Sequence, residues 1–326
     1  MTTKKTILIV SITLFISLIV LSVLFFNKTS IKRPQEPSKP YPYYSEDVTF
    51  QNTKANITLA GTLTLPSKKG NYPAVILISG SGIQNRDEEM LGHKPFLIIA
   101  DYLTRNGIAV LRYDDRGFGK STGEFKTAII ADFADDTASA IEYLNTRKEI
   151  NKNKIGLIGH SEGGVVAPMV ATSRNDVSFI VLLAAPGIEL RKVFLKQSEV
   201  LLRALGASES DIKKSIANTK KYIEIITTYQ NSDSLKNELT KLIERSYDEA
   251  PSILIPKNIT KEQYVAATLK MASSAYFKNS LNFDPAPILE KVTCPVLALN
   301  GEKDMQVTPK ENLLGSFPLK ISSNAG

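Results

Sequence analysis

The sequence predicts an α/β fold, in which helices cover both faces of a mostly parallel β-sheet. The chain has 326 residues, of which 43% are hydrophobic, so it is long enough to bury a large core. Short continuous apolar runs, typical of strands buried on both faces, alternate with segments of helical periodicity. This alternation favours a parallel sheet with right-handed crossovers. The predicted strands are 74–79, 109–113, 155–159, 179–183 and 296–300, and the predicted helices are 96–105, 132–146 and 163–172.

Composition excludes several classes of protein. The net charge of +7 comes from 40 basic and 33 acidic residues spread along the chain, without the interleaved aromatic residues of a nucleic-acid groove, so we expect no nucleic-acid partner. Cys294 is the single cysteine, which rules out an internal disulfide and a Cys-His metal cluster. We therefore expect neither a metal nor a cofactor. We interpret Cys294 as a buried, inert thiol, because a catalytic cysteine would need a nearby base and a Gly-rich turn.

The amino terminus, residues 1–28, predicts a transmembrane helix. Lys4 and Lys5 precede an apolar run at 7–26, which at about 1.5 Å per residue spans about 30 Å of hydrocarbon. The run ends without a small-residue cleavage site or a lipobox cysteine, which favours a retained membrane anchor over a cleaved signal peptide. Lysines on both flanks orient the helix weakly, and we expect the rest of the chain outside the cytoplasm.

Three further regions follow the predicted anchor. Residues 29–44 are rich in proline and charge and predict a linker. Residues 45–326 form the main domain, which begins with an antiparallel pair at 46–50 and 57–65. Long amphipathic segments at about 190–282 interrupt the strand and helix alternation and predict a helical cap. A second helical domain without a catalytic role is the alternative.

A nucleophile elbow is the strongest functional signal. The apolar strand at 155–159 enters Gly159-His160-Ser161-Glu162-Gly163, a G-x-S-x-G pattern that continues into a helix. A serine in such a sharp turn needs small residues two positions before and after it, so that strand and helix can pass each other. The pattern predicts Ser161 as a nucleophile. The helix amino terminus, beginning with the backbone N–H of Glu162, predicts one donor of an oxyanion hole.

The loop after the first parallel strand predicts the second oxyanion donor. It reads Ser79-Gly80-Ser81-Gly82, whose small residues let a substrate carbonyl approach the backbone. We predict the backbone N–H of Ser81 as the donor. A Gly-Ser loop could also be an ordinary tight turn.

A further motif indicates a family. The segment Asp114-Asp115-Arg116-Gly117-Phe118-Gly119-Lys120-Ser121 resembles the D-x-R-G-x-G-x-S loop of α/β-hydrolases, in particular the serine-aminopeptidase-like and bacterial esterase branch. The resemblance covers most of residues 45–305 and implies the α/β-hydrolase fold. It implies a structural role for Arg116. It also implies that Asp304, which follows the strand at 296–300 and Gly301, is the acid of a catalytic triad, with Glu302 as the alternative carboxylate.

The triad lacks its base. This fold orders the triad as Ser, Asp and His, and the given sequence has no histidine after Asp304. We expect His160 to be packed or hydrogen-bonded and directed away from Ser161, and His93 is the alternative base. Our leading interpretation is a sequence shortened at the carboxyl end, either a fragment or a frameshifted product, and such a chain would be nearly inactive.

The predicted function is therefore that of a serine hydrolase. It would cleave carboxylic esters, or related acyl bonds of small-molecule substrates, through an acyl-enzyme on Ser161. A serine aminopeptidase and a thioesterase would use the same groups. A non-catalytic, hydrolase-like binding protein is the alternative from a different class.

Overall fold

The computed structural model describes residues 33–228, 232–248 and 259–314. Within these ranges, no helix combines the length and the apolar character that a membrane span requires. The predicted transmembrane helix at 1–28 lies outside the described residues. Both that helix and the proposed division into anchor, linker and main domain stay predictions.

The described residues form a mixed seven-stranded sheet with the strand order β1-β2-β4-β3-β5-β6-β7. Strands β1 and β2 are antiparallel, β2 is antiparallel to β4, and the remaining neighbours are parallel. The α/β fold with a mostly parallel sheet is thus confirmed. The strands are β1 (Tyr44–Asn52), β2 (Ile57–Leu65), β3 (Tyr72–Ile78), β4 (Ala109–Tyr113), β5 (Ile150–His160), β6 (Phe179–Leu183) and β7 (Val296–Leu299).

Helices cover the sheet as the periodicity predicts. Helix α1 packs on one face with β4, and α2 and α3 pack together near β1 and β5. Successive side chains of each strand point to opposite faces of the sheet and form two cores. Ile76 and Leu111 lie in the larger core, and Val75 and Val110 lie in the smaller one. The helices are α1 (Pro95–Arg105), α2 (Ile130–Thr146), α3 (Gly163–Ser173), α4 (Leu190–Ala204), α5 (Glu209–Thr228), α6 (Ser232–Asp248), α7 (Lys261–Ala272), α8 (Ala275–Leu281), α9 (Ala286–Leu289) and α10 (Pro309–Leu314).

Burial of β7 differs from the expectation for a strand covered on both faces. Val296 and Ala298 pack against the larger core, whereas Leu297 and Leu299 are 52% and 48% exposed. The prediction is wrong for this strand because, among the described residues, its other face is not covered. A continuous apolar run cannot show from sequence alone which face will find a partner.

Helices α4 to α8 occupy the position of the predicted cap, between β6 and β7. They have a core of their own, built from apolar side chains such as Ile226, Leu239 and Phe277. Their contact with the sheet layer includes a hydrogen bond from the Ile130 backbone N–H to Asn279 Oδ1, 3.2 Å long. The insertion therefore rests on the beginning of α2.

The described part of the predicted linker lies against the domain. Arg33 donates a 2.8 Å hydrogen bond to the carbonyl oxygen of Leu91, and Glu36 pairs with Lys94 at 3.1 Å. Tyr43 is buried. The first two contacts attach Arg33 and Glu36 to the loop that precedes α1.

Candidate active site

Ser161 lies in a sharp corner between β5 and α3. Its φ of +51° is a left-handed conformation that a residue with a side chain adopts only under strain. The backbone N–H of Ser161 donates a 2.9 Å hydrogen bond to the carbonyl oxygen of Leu183. Because Leu183 ends the neighbouring strand β6, this bond ties the corner to the sheet.

Close backbone packing explains the glycines around Ser161. A Cβ on Gly159 would overlap the backbone carbonyl of Gly163, and a Cβ on Gly163 would overlap the carbonyl oxygen of Ile78. A Cβ on Gly164 would overlap the side chain of Ala185. Strand, corner and helix thus pass each other at distances that only glycine permits.

The loop after β3 closes on the same corner. A Cβ on Gly80 would lie 3.2 Å from Ser161 Cβ, so the loop is in contact with the predicted nucleophile. In the described part of the chain, the backbone N–H groups of Ser81 and Glu162 donate no hydrogen bond. Both predicted donors therefore remain available to an anion beside Ser161. Their role in catalysis stays a prediction.

Glu88 organises this loop, and the sequence did not single it out. It is buried, has a φ of +50°, and its Oε1 accepts a 2.7 Å hydrogen bond from the Gly80 N–H. The same oxygen lies 2.7 Å from His160 Nδ1. Glu88 belongs to an acidic run, Asp87-Glu88-Glu89, which in sequence looks like a solvated surface segment.

His160 pairs with Glu88, in line with the expected hydrogen-bonded role. Burial lowers the pKa of His160, but the hydrogen bond and the charge of Glu88 outweigh burial and leave that pKa above its ordinary value. The negative charge of Asp304 adds to the rise. Asp304 follows β7, which is parallel to β6 as β6 is to β5, so the predicted acid lies at the same carboxyl edge of the sheet as Ser161.

His93 lies elsewhere on the loop and is exposed. Its ring nitrogens face the guanidinium of Arg33, the nearer one at 2.9 Å. Among the described residues, neither histidine ring is hydrogen-bonded to Ser161 Oγ. The structure thus places the predicted nucleophile beside the oxyanion loop and the predicted acid at the same carboxyl edge of the sheet.

Asp304 follows β7 in a loop that it stabilises itself. Its Oδ1 accepts backbone hydrogen bonds from Gln306 at 2.8 Å and from Val307 at 3.0 Å. The other oxygen, Oδ2, has no hydrogen-bond partner among the described residues. Asp304 is half-buried, whereas Glu302 is exposed, as expected of a solvated neighbour.

Arg116 is outside the site. Its guanidinium donates to both carboxylate oxygens of Asp136, at 2.7 and 2.9 Å, and to the backbone carbonyl of Asp132 at 2.8 Å. The D-x-R-G-x-G-x-S loop is therefore fastened to α2. Most of this contact is to the Asp136 side chain, and it agrees with the structural role that the resemblance implies for Arg116.

Two buried carboxyl groups beneath the oxyanion loop were missed by sequence reasoning. Burial raises the pKa of Glu162 to about 7, although its Oε2 accepts a 2.7 Å hydrogen bond from the Tyr276 hydroxyl. Burial raises the pKa of Asp115 to about 8, against the effect of hydrogen bonds from the Ser79 hydroxyl and the Gln84 N–H, both 2.7 Å. They line a cavity of about 20 Å³, roughly the room for one water molecule.

Comparisons with known proteins agree with this architecture. The family model described as serine aminopeptidase, S33, matches residues 95–246. Esterase EstD of Thermotoga maritima is 27% identical over 290 residues, which cover 88% of this chain and 59% of EstD. The chain thus spans about three fifths of the length of that relative.

Solved structures share the fold. The α/β-hydrolase GrgF of Penicillium sp. sh18 aligns with a TM-score of 0.51 and 20% identity, over 84% of this chain and 85% of that one. An esterase of Pyrococcus furiosus also aligns with a TM-score of 0.51, at 17% identity, over 87% of this chain and 82% of its own. The chain thus has the α/β-hydrolase fold, and its sequence is similar to the serine aminopeptidase, S33, family model and to an esterase.

Proposed function

We propose that this protein is a serine esterase. The Ser161 oxygen attacks the carbonyl carbon of a small-molecule ester, the C–O bond to the alcohol breaks, and the serine proton passes to the departing alcohol. Water then cleaves the acyl-enzyme and releases the acid. The observation that carries the proposal is the strained corner of Ser161 between β5 and α3. Strain at a non-glycine residue persists where the surrounding structure enforces it, which is common at catalytic positions. Here the enforcement comes from glycines that abut backbone on both sides of the corner.

The oxyanion that forms on attack would be bound by the backbone N–H groups of Ser81 and Glu162. Both are unpaired within the described residues, and the loop that carries Ser81 contacts Ser161. Preorganised donors of this kind typically contribute about 2.7–4 kcal/mol each to the transition state. Helix α3 begins directly after Glu162 and adds its positive end to the same place.

Proton transfer would depend on a histidine oriented by Asp304, and the given sequence contains only His93 and His160. A serine without a base is a poor nucleophile, so the chain as given would turn over slowly. Asp304 Oδ2 faces no partner in the described residues and could accept the N–H of an imidazole. This suggests that free imidazole in solution can take the place of the base.

The proposal is tested by hydrolysis of p-nitrophenyl esters of graded acyl length, with and without added imidazole, on the wild-type chain and on Ser161→Ala. We expect imidazole to raise the wild-type rate above the Ser161→Ala rate, which records the reaction of imidazole alone. A fluorophosphonate probe should label the wild type and not the variant. Equal rates at every imidazole concentration, together with no labelling of either protein, would reject an esterase.

A non-catalytic binding protein is the second candidate, because both histidines pair with groups other than Ser161. A binding protein of this kind predicts no imidazole effect.

Serine aminopeptidase and thioesterase activities are distinguished by running aminoacyl-p-nitroanilides and acyl thioesters in the same assay.

We further propose that residues 1–28 anchor the enzyme to a membrane with its catalytic domain outside the cytoplasm. Partition with the membrane fraction, and its loss on deletion of 1–28, would test this.

A further inference from the structure

The hydroxyl of Tyr276 meets both halves of the proposed oxyanion hole. It donates a 2.7 Å hydrogen bond to Glu162 Oε2, on the residue that follows Ser161. The Ser81 side chain and the Gly82 backbone N–H approach the same hydroxyl oxygen and act on its pKa as hydrogen-bond donors. The hydroxyl on helix α8 is therefore hydrogen-bonded to the residue after Ser161 and lies beside the oxyanion loop, and these two segments are about 80 residues apart in sequence.

Packing holds the Tyr276 ring in a defined position. Its centroid lies 5.3 Å from the ring of Phe125 and 6.2 Å from that of Phe133. Two aromatic contacts of this kind restrict the ring, so the direction of its hydroxyl is set by the position of α8 against Phe125 and Phe133 rather than by the oxyanion loop. A movement of α8 would therefore move the hydroxyl relative to Ser81 and Glu162.

The Tyr276 hydroxyl stays protonated and can therefore donate a hydrogen bond. Burial and the nearby Glu162 raise the pKa of Tyr276 well above its ordinary value, so the phenol stays protonated at physiological pH. The Glu162 side chain is itself buried and accepts this bond within the described residues. Loss of the phenol oxygen would leave a buried carboxyl group without its partner, which would favour a different position of Glu162.

We propose that Tyr276 is a positioning residue, whose hydroxyl fastens the oxyanion loop to the nucleophile corner and makes the geometry of the oxyanion hole depend on the helical insertion. The inference rests on the proposed function, since it concerns the same two backbone donors. Tyr276 acts on them indirectly, because its hydroxyl contacts the side chains of Glu162 and Ser81 and the backbone of Gly82. The insertion thereby positions the proposed oxyanion donors.

Tyr276→Phe is the test, because it removes one oxygen atom and keeps the ring that packs against Phe125. Tyr222→Phe is the matched control, since it removes another tyrosine hydroxyl of the insertion, one that is buried and has no hydrogen-bond partner in the described chain. Two measurements are made on each protein. One is hydrogen exchange of the peptide covering 79–84, and the other is imidazole-supported ester hydrolysis with kcat and KM separated.

We expect Tyr276→Phe to speed exchange in that peptide and to lower kcat about tenfold or more with little change in KM, because misplaced donors weaken transition-state binding. Tyr222→Phe should match the wild type in both measurements. Unchanged exchange, unchanged kcat, or an effect confined to KM would overturn the positioning role. If Tyr276→Phe does not fold, Ser81→Ala removes the other side of the contact, keeps the backbone N–H, and carries the same expectations.

The outcome separates this inference from the proposed function. A wild type that hydrolyses no ester above the Ser161→Ala background refutes the esterase, and hydrogen exchange alone then decides whether Tyr276 fastens the loop. An active wild type whose kcat is insensitive to Tyr276→Phe refutes the positioning role and leaves the esterase standing.

Discussion

The nucleophile corner, residues 159–164, and the acid edge, formed by β7 and residues 300–307, are built in different ways. At the corner, β5 lies inside the sheet between β3 and β6, and its glycines abut backbone. At the acid edge, β7 pairs with β6 on one side, and its outer face exposes Leu297 and Leu299. The corner is held by tertiary contacts, whereas the acid loop is held mainly by its own turn.

This difference teaches that the proposed nucleophile, Ser161, and the proposed acid, Asp304, are positioned by independent contacts. The strain at Ser161 is imposed by the close packing of Gly159 and Gly163, and neither histidine ring is hydrogen-bonded to Ser161 Oγ among the described residues. Asp304 is held by backbone N–H groups two and three residues further on, which is a local turn. The proposed nucleophile and oxyanion donors are therefore held in place by contacts that do not include a hydrogen bond from a histidine to Ser161 Oγ.

The largest expected effect comes from replacing one glycine by alanine in each of the two regions. Gly159→Ala should lower the free energy of unfolding by about 3 kcal/mol or more, because the new Cβ meets rigid backbone that cannot move aside. Gly301→Ala, at the acid edge, should change it by less than about 0.5 kcal/mol, since a Cβ there meets nothing within 4 Å. Urea denaturation measures both. Equal costs would show that the corner is not the tighter of the two regions.

The second effect is a pH dependence that belongs to the corner. Glu162 has a folded-state pKa of about 7 against an ordinary 4.5, because burial disfavours its charged form. The folded protein then holds that proton more tightly than the unfolded chain, so stability is full below about pH 4.5 and declines as pH rises to about 7. The loss is about 3 kcal/mol for a shift of this size.

Glu162→Gln tests that decline, because the amide oxygen can still accept from Tyr276 but the group no longer titrates. We expect the slope of unfolding free energy between pH 4.5 and 7 to become shallower in the variant. Asp115, whose pKa burial raises to about 8, keeps part of the slope in both proteins. An identical slope in variant and wild type would show that Glu162 ionises normally and is not sealed from water.

Much of the fold and part of the site could be predicted from sequence, since both are encoded in local patterns. Apolar runs predicted the parallel strands, and the G-x-S-x-G pattern predicted the corner. The corner requires glycine for steric reasons, and this requirement can be recognised within five consecutive residues. The parallel pairing of β5, β6 and β7 then brought Asp304 to the same carboxyl edge of the sheet as Ser161. These features need no knowledge of distant contacts.

What could not be predicted depends on contacts between distant segments. Glu88 is a buried acceptor for Gly80 and His160, yet it sits in an acidic run that reads as surface. Tyr276 reaches Glu162 from a helix more than a hundred residues later in the chain. The exposed face of β7 has an apolar sequence like that of the buried strands. In each case the burial and the hydrogen bonds of the residue depend on segments distant in sequence, and the residue type alone does not predict them.

A third effect compares the two regions through His160, whose pKa is raised mainly by Glu88 and to a smaller extent by Asp304. Glu88→Gln should lower the pKa of His160 by more than Asp304→Asn does, because a direct hydrogen bond outweighs a more distant charge. Proton NMR titration of the ring measures both. Because the pKa is raised by folding, the pairing stabilises the protein below the unfolded pKa of about 6.5, and the contribution is lost as pH rises through the folded value. A larger drop in Asp304→Asn would place the acid in direct contact with this histidine.

The smallest expected effect concerns the open face of the acid edge. Leu297→Gln should change the free energy of unfolding by less than about 0.5 kcal/mol, because the side chain is about half exposed and a glutamine there remains hydrated. Leu157→Ala, in the buried middle of β5, should cost about 2–5 kcal/mol and serves as the reference. Both values come from the same denaturant series at several protein concentrations. A cost above about 1 kcal/mol for Leu297→Gln would mean that this face is covered in solution, and dependence of that cost on protein concentration would identify the cover as a second molecule.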